Sequence, residues 1–370
     1  MTLANLLAAL PAARVIGDAD LAVGRVCNDS RAIAPGDVYV AVRGMRADGH
    51  AFVAAAIERG AVAVVVEHEV EVAVPQVIVA DGAVALGVLV GRALGDPARA
   101  MTLVGITGTN GKTTTTYVVE SILRAAGARP GVIGTVEYRW RDRNDDVVTM
   151  DAPFTTPTPQ VLHDTFAAMR DAGTTHVVME VSSSALAMAR LAGVTFTVAA
   201  FSNLTQDHLD LHGSMAAYRD AKRLLFSNHL GAGTAVVNVD DPEGDGMAAA
   251  AHGRVLRVSA EGGAADLRVV EQHSTVRGIT ARIARARSTS TANGRGTPAR
   301  IWSRIMRGSS VRGLSLVTTA RSASAATSAP ILGRLPGSRS PPQPNTQISR
   351  RRVSGRSAPS TLRSASGVWA

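Results

Sequence analysis

The run Ile106-Thr-Gly-Thr-Asn-Gly-Lys-Thr-Thr114 carries the residue types that hold a polyphosphate. Gly108 and Gly111 allow the backbone to turn with its N–H groups inward, and Lys112 adds a compact cation for the outer phosphates. The Thr113 hydroxyl is a hard oxygen suited to Mg²⁺, while Thr109, Asn110 and Thr114 complete the loop. The strict form of such a loop has glycine where this chain has Ile106. The competing reading is a glycine-threonine turn without a ligand, and the strand and helix expected on either side oppose it. Lys112 and Lys222 are the only lysines in the chain, whereas 37 of its 39 basic residues are arginine. So strong a bias keeps lysine where guanidinium fails, as a point charge or as a nucleophilic amine. Glu180 in Val178-Met-Glu-Val-Ser-Ser183 and Asp207-His208 in Phe201-Ser-Asn-Leu-Thr-Gln-Asp-His-Leu-Asp-Leu-His-Gly213 add carboxylates and imidazoles. Taken alone, His208 and His212 read as surface or helix-cap histidines.

These residues sit in a pattern of alternating strands and helices. A strand is expected over 102–107, the glycine loop at 108–112 and a helix over 113–126, followed by strands at 176–179, 198–201 and 234–239 with helical segments between them. Alternation of this kind predicts an α/β fold, a mostly parallel sheet wrapped by helices. Residues 1–98 predict a smaller α/β domain, with strands within 37–42 and 61–66 around a helix at 52–59, and 95–99 reads as a linker. The expected organisation is 1–98, 99–284 as a nucleotide-binding domain, and 285–370 as a disordered tail.

Composition narrows the class. At 370 residues with 46% hydrophobic side chains, a folded multidomain protein is expected. Cys27 is the only cysteine, which rules out an intramolecular disulfide. The first residues lack the basic flank of a secretory signal, so a cytoplasmic location is expected. The apolar stretch 61–79 is broken by Glu67, His68, Glu69 and Glu71, and no membrane span is expected. The net charge of +9 would suggest a nucleic-acid partner, but its distribution opposes that. Glu271 is the last acidic residue, and residues 282–370 carry sixteen of the 39 basic residues. Residues 1–281 therefore hold 23 basic against 30 acidic residues, a net charge of −7. Beyond 285 the chain contains no Asp, Glu or Lys and no sustained apolar period, so it cannot bury enough surface to offset its ordering entropy. Translation of GC-rich DNA in a wrong frame would give this composition, and so would a basic binding extension. The nucleotide sequence, read in its other frames, would distinguish them.

The compact loop, the Glu-Val-Ser-Ser run, the Asp-His-Leu-Asp segment and Lys222 together resemble the central domain of the Mur ligase family. The first domain, through Cys27-Asn-Asp-Ser-Arg31, 35–44 and Asp48-Gly-His-Ala-Phe52, is similar to the UDP-binding module of the third- and fourth-step enzymes, and Phe154-Thr-Thr-Pro157 resembles the third-step substrate loop. The resemblance implies an ATP-dependent ligase that activates UDP-N-acetylmuramoyl-L-alanyl-D-glutamate as an acyl phosphate and joins it to meso-diaminopimelate or lysine. It assigns Gly108 to Thr114 and Asn203 to ATP, and Thr113 and Glu180 to a first Mg²⁺. His208 and Lys222, the latter carbamylated by CO₂, are assigned to a second. Ser30, Arg43, Gly44, Met45, Arg46, Thr155, Thr156, Ser182 and Arg190 are assigned to the UDP-sugar dipeptide, and Asp207 is a supporting group. Lys112, Glu180, His208 and Lys222 form the implied catalytic set of a monomeric cytoplasmic enzyme. Two departures stand beside the substrate: Ser184 where the family has His, and Met188 where it has Gln. Nothing after 285 resembles the third domain of these ligases, so no turnover is expected of the chain as it stands. A tail-borne binding function and a folylpolyglutamate-synthetase-like ligase are the alternatives; the latter family lacks the UDP-binding first domain.

Overall fold

The computed structural model describes residues 1–44, 47–207, 209–275, 278–286 and 314–317. The chain divides into two units, 1–320 and 321–370, and every described residue belongs to the first.

The first sheet has five strands in the order β1-β5-β4-β3-β2, from β1 (Arg14–Ile16), β2 (Val26–Cys27), β3 (Val38–Val40), β4 (Ala63–Val66) and β5 (Gln76–Ile78). All pairings are parallel except that of β1 with β5. Alternation along β3 and β4 explains the layering, because successive side chains point to opposite faces. Val38, Val40, Ala63 and Val65 join a core with helices α1 (Leu3–Leu7) and α3 (Gly82–Ala93), whereas Tyr39, Val64 and Val66 join a second core with α2 (Val53–Glu58). The expected helix at 52–59 begins one residue later, after a short 3₁₀ turn at Gly49–Phe52 that is capped by Asp48.

The second sheet has eleven strands, ordered β16-β15-β14-β13-β12-β11-β6-β10-β7-β8-β9. Its centre comprises β6 (Thr102–Thr107), β7 (Pro130–Ile133), β10 (His176–Glu180), β11 (Val198–Phe201), β12 (Thr234–Asn238) and β13 (Arg254–Ser259), all parallel to their neighbours within that set. The hairpin β8 (Glu137–Arg141) and β9 (Val147–Asp151) extends one edge antiparallel. On the other side β14 (Leu267–Thr275) pairs parallel with β13 and antiparallel with β15 (Gly278–Arg285). Helices α4 (Lys112–Ala125), α5 (Pro159–Asp171), α6 (Ser183–Ala187), α7 (Leu209–His212), α8 (Met215–Ser227) and α9 (Gly244–Ala249) connect the strands. The expectation of a structureless tail from 285 is corrected at one place. Leu314–Val317 forms β16, parallel to β15. The rest of that expectation lies outside the described residues.

β6 lies between β10 and β11. The chain leaves β6 across β10 toward β7 and later returns from β10 across β6 to β11, so the connections diverge at the C-terminal end of β6. In open α/β sheets that point is where a crevice for ligands opens.

Candidate active site

The expected strand at 102–107 and the observed β6 have the same bounds, and the loop that follows turns through Gly108 (φ +148°) and Gly111 (φ +83°). A Cβ at Gly108 would overlap the Ser202 hydroxyl, so the close approach of the two segments requires glycine there. Gly111 caps α4, whose first-turn N–H groups point out of the helix as a site for anions.

The segment after β11 clamps the loop from behind. Thr109 N donates to Asn203 O (2.9 Å) and Asn110 N donates to Asn203 Oδ1 (3.0 Å). Asn203 Nδ2 returns a bond to Asn110 O (3.1 Å), and Ser202 Oγ donates to the same carbonyl (2.7 Å). Asn203 thus lies at the loop, as its candidacy required, with its amide occupied by the peptide groups of Asn110.

Both lysines reach one carbonyl. Lys112 Nζ donates to Gly108 O (2.9 Å) and Thr109 O (3.0 Å), and Lys222 Nζ donates to Gly108 O (2.9 Å). Lys222 projects from the inner face of α8 and is 1% exposed. Burial, reinforced by the nearby charge of Lys112, pulls the Lys222 ammonium down to about 7. Lys112 is lowered as well, chiefly by burial.

Glu180, at the C-terminal end of β10 and 1% exposed, faces the start of α4. Its carboxylate accepts from Thr113 Oγ1 (3.0 Å), Thr135 N (3.0 Å) and Thr135 Oγ1 (3.1 Å). Thr135 was not a sequence candidate. Gly134 before it leaves room for that carboxylate, since a Cβ there would come within 2.5 Å of Glu180 Oε1.

The 154–157 loop lies against the same strand end. Thr135 Oγ1 is 3.0 Å from Thr155 Oγ1. Thr156 is buried, with its hydroxyl donating to Glu180 O (2.9 Å) and accepting from Ser182 N (3.0 Å), so it sits beneath the site surface and locks the loop. Ser182 caps α6 through Ala185 N (3.2 Å) and lies 3.1 Å from Ser184 Oγ. Arg190 donates to Thr156 O (3.2 Å) and stacks on the Phe154 ring at 4.6 Å, with Met188 Sδ 3.6 Å away.

The first-domain candidates belong to the loops of the first sheet. Ser30 opens a short 3₁₀ turn capped by Asp29, which also pairs with Arg31 (2.9 Å). Arg43 pairs with Glu67 (2.9 Å) and stands 3.6 Å from Asp48, while Gly44 N donates to Ala47 O (2.9 Å). His50 Nε2 accepts from Glu67 N (2.9 Å), which leaves Nδ1 to face Asp48 (2.6 Å) and explains that carboxyl's lowered pKa together with the His50 backbone N–H. Met45, Arg46 and His208 lie outside the described residues. Among the described residues no group of three or more His, Cys, Asp or Glu side chains is placed to hold a metal ion, and no helix is long and apolar enough to cross a membrane.

A phosphate-type loop between the central strand and α4, backed by a buried carboxylate and two lysines, defines an α/β protein of the phosphate-loop class. The chain belongs to the Mur ligase family: "Mur ligase middle domain" matches residues 106–294, just over half of the chain, and "Mur ligase family, catalytic domain" matches 23–91. It is 44% identical over 249 residues to the UDP-N-acetylmuramoyl-L-alanyl-D-glutamate–2,6-diaminopimelate ligase of Geobacillus thermodenitrificans (strain NG80-2), spanning 65% of this chain and 50% of that one. It is 46% identical over 240 residues to the ligase of the same name from Chlorobaculum tepidum (strain ATCC 49652 / DSM 12025 / NBRC 103806 / TLS), spanning 63% and 46%. A solved structure of a diaminopimelate ligase of that name superposes with a TM-score of 0.66 at 27% identity, covering 76% of this chain and 57% of the other. The chain therefore spans about half the length of the curated relatives it matches.

Proposed function

We propose that the chain carries the UDP-substrate and ATP-binding parts of an ATP-dependent ligase that joins meso-diaminopimelate to UDP-N-acetylmuramoyl-L-alanyl-D-glutamate. The observation that carries this reading is the convergence of Thr113, Glu180, Lys112 and Lys222 on one loop at the diverging end of β6. The relatives' shared name supplies the substrates. Domains 1–98 and 99–284 divide the work, the first holding the nucleotide sugar and the second ATP.

The reading includes two divalent cations. Thr113 and Glu180 offer hard oxygens already directed at each other, and would hold one Mg²⁺. His208 and a carbamylated Lys222 would hold the other, and only an amine able to lose its proton can accept CO₂. When bound, the cations neutralise charge on the phosphoryl oxygens. The residues do the positioning. The N–H groups at the start of α4 cradle phosphate, and Lys112 swings from the Gly108 carbonyl to the outer phosphate oxygens. Glu180 keeps Thr113 and Thr135 in register, and Thr155 and Arg190 present the D-glutamyl carboxylate for attack on the γ-phosphorus. That attack releases ADP and gives an acyl phosphate; the incoming amine then attacks the acyl carbon, expels inorganic phosphate and, losing a proton, forms the amide. Ser30, Arg43, Gly44, Met45 and Arg46 recognise the UDP-sugar, and the protein works as a cytoplasmic monomer.

The test is equilibrium binding of Mg·ATP and of UDP-N-acetylmuramoyl-L-alanyl-D-glutamate to the 370-residue chain, with ¹³C-bicarbonate NMR for the Lys222 carbamate. Lys112→Ala should abolish ATP binding and leave the UDP-substrate bound, and Lys222→Arg should remove the carbamate resonance. A folded chain that binds neither ligand overturns the assignment.

A further inference from the structure

Tyr218 is a buried side chain on which the candidate site converges and which the reading above leaves without a task. It lies one turn before Lys222 on α8, so that the two side chains share a face. Lys222 Nζ is 4.5 Å from the centre of the Tyr218 ring. The phenol oxygen is 3.2 Å from Thr109 Oγ1. The Thr109 hydroxyl donates its one proton to Thr205 O (3.1 Å) and accepts from Thr205 N (2.9 Å), so Tyr218 is the donor in the bond between them. On its other side the ring packs at 5.1 Å against His212, whose Nε2 is 3.0 Å from Ser183 Oγ at the start of α6.

We propose that Tyr218 is a positioning residue that holds the Thr109 corner of the phosphate loop with its phenol and the Lys222 amine with its ring, registering the loop against α8. Lys222 has four rotatable side-chain bonds and its amine donates to Gly108 O, so the ring face on which Nζ rests further restricts where the amine points. Thr109 is tied to the 203–205 turn, and the phenol joins its hydroxyl to the helix that carries Lys222. One rigid side chain therefore fixes two mobile parts of the nucleotide site. The proposal rests on the nucleotide-binding reading of that site.

The experiment is a double-mutant cycle on the full chain, reading Mg·ATP affinity by equilibrium dialysis for Tyr218→Phe, Thr109→Ala and the pair, with urea unfolding to confirm that each variant folds. Tyr218→Phe should weaken binding about three- to tenfold, the effect of one neutral hydrogen bond. The pair should bind no more weakly than Thr109→Ala alone. Because the chain has two lysines, acetylation followed by mass spectrometry reads the amines directly. Tyr218→Phe should leave Lys222 protected, whereas Tyr218→Leu should speed its labelling about fivefold or more relative to Lys112. An additive cycle, or wild-type affinity in Tyr218→Phe, overturns the phenol's role; a protected Lys222 in Tyr218→Leu overturns that of the ring. A folded wild-type chain that binds no Mg·ATP overturns the nucleotide reading itself and this proposal with it, a result unlike either of the others.

Discussion

The two sheets treat their candidate residues differently. In the second sheet Glu180, Thr156 and Lys222 are buried, Glu180 accepting three hydrogen bonds, Thr156 making two and Lys222 one to Gly108 O, so their geometry exists before any ligand arrives. In the first sheet the candidate Arg43 stands largely in solvent and is paired with Glu67, as the neighbouring Arg25 and Arg31, which are not candidates, are with Asp37 and Asp29. Chemistry on a phosphoryl group gains most from groups already in place, because reorientation at the moment of reaction would cost rate. Recognition of a nucleotide sugar tolerates exposed cations that exchange one anion for another, and exposed pairs contribute little to stability.

The comparison can be broken most sharply at glycines. Gly108→Ala would force a Cβ into Ser202 and also strain a left-handed backbone, and should cost about 3 kcal/mol with loss of Mg·ATP binding. Gly111→Ala meets nothing within 4 Å and pays only for φ +83°, about 1–2 kcal/mol. In the first sheet Gly82→Ala would drive a Cβ into Ala41 O. It should destabilise as strongly as Gly108→Ala, yet the molecules that remain folded should bind Mg·ATP normally. Urea unfolding with nucleotide titration checks all three, and equal affinity losses in Gly108→Ala and Gly82→Ala would show that the sheets are not separable in this way.

A second test addresses the seam between the sheets. His163 on α5 is 1% exposed and lies against α3, where a Cβ at Gly91 would come within 2.7 Å of its ring. Burial drives its pKa from 6.5 down to about 4. The folded state therefore refuses a proton that the unfolded chain accepts. The stability this group contributes is whole above about pH 6.5 and declines as the pH falls toward 4. Between pH 7 and 5 the loss should be about 2 kcal/mol. His163→Gln should remove that part of the pH slope, leaving the carboxylate contribution common to both proteins. Parallel slopes in the two proteins would mean that the seam opens to water before His163 is protonated.

Much of the second sheet was legible because its signals are local. A β-rich run before a glycine loop located β6, and Lys222 stood out as one of only two lysines. Thr135 was not legible, since its contact with Glu180 depends on β7 lying beside β10, a neighbour relation that strand order sets and local pattern does not. The pairing of Arg43 with Glu67 was hidden in the same way, with 23 intervening residues and a strand pairing to cross. The 154–157 loop was read as a substrate surface, and the burial of Thr156 appears only once Ser182 N and Glu180 O are brought to it. The strands after 254 were missed because Arg interrupts their apolar residues.

The smallest expected effect is at Ala189, one of three non-glycine residues with positive φ among the described residues, at +52°. The other two, Asp96 and Asp145, are of a type that tolerates the left-handed region better than alanine does. Ala189 links Met188 at the end of α6 to Arg190, and its turn is what aims the guanidinium at Thr156 O and the Phe154 ring. Backbone strain of this kind persists where the surroundings over-determine it, often at a functional site. Ala189→Gly should relieve the strain, but the more flexible unfolded chain offsets part of the gain. The net result should be a stabilisation below about 1 kcal/mol, visible as a small rise in the urea midpoint at unchanged slope. Affinity for the UDP-muramoyl dipeptide should fall slightly, because a glycine hinge lets Arg190 leave Phe154. A destabilised Ala189→Gly protein would show that the left-handed turn is held by contacts of the alanine methyl, and that the second sheet stores no strain beside its site.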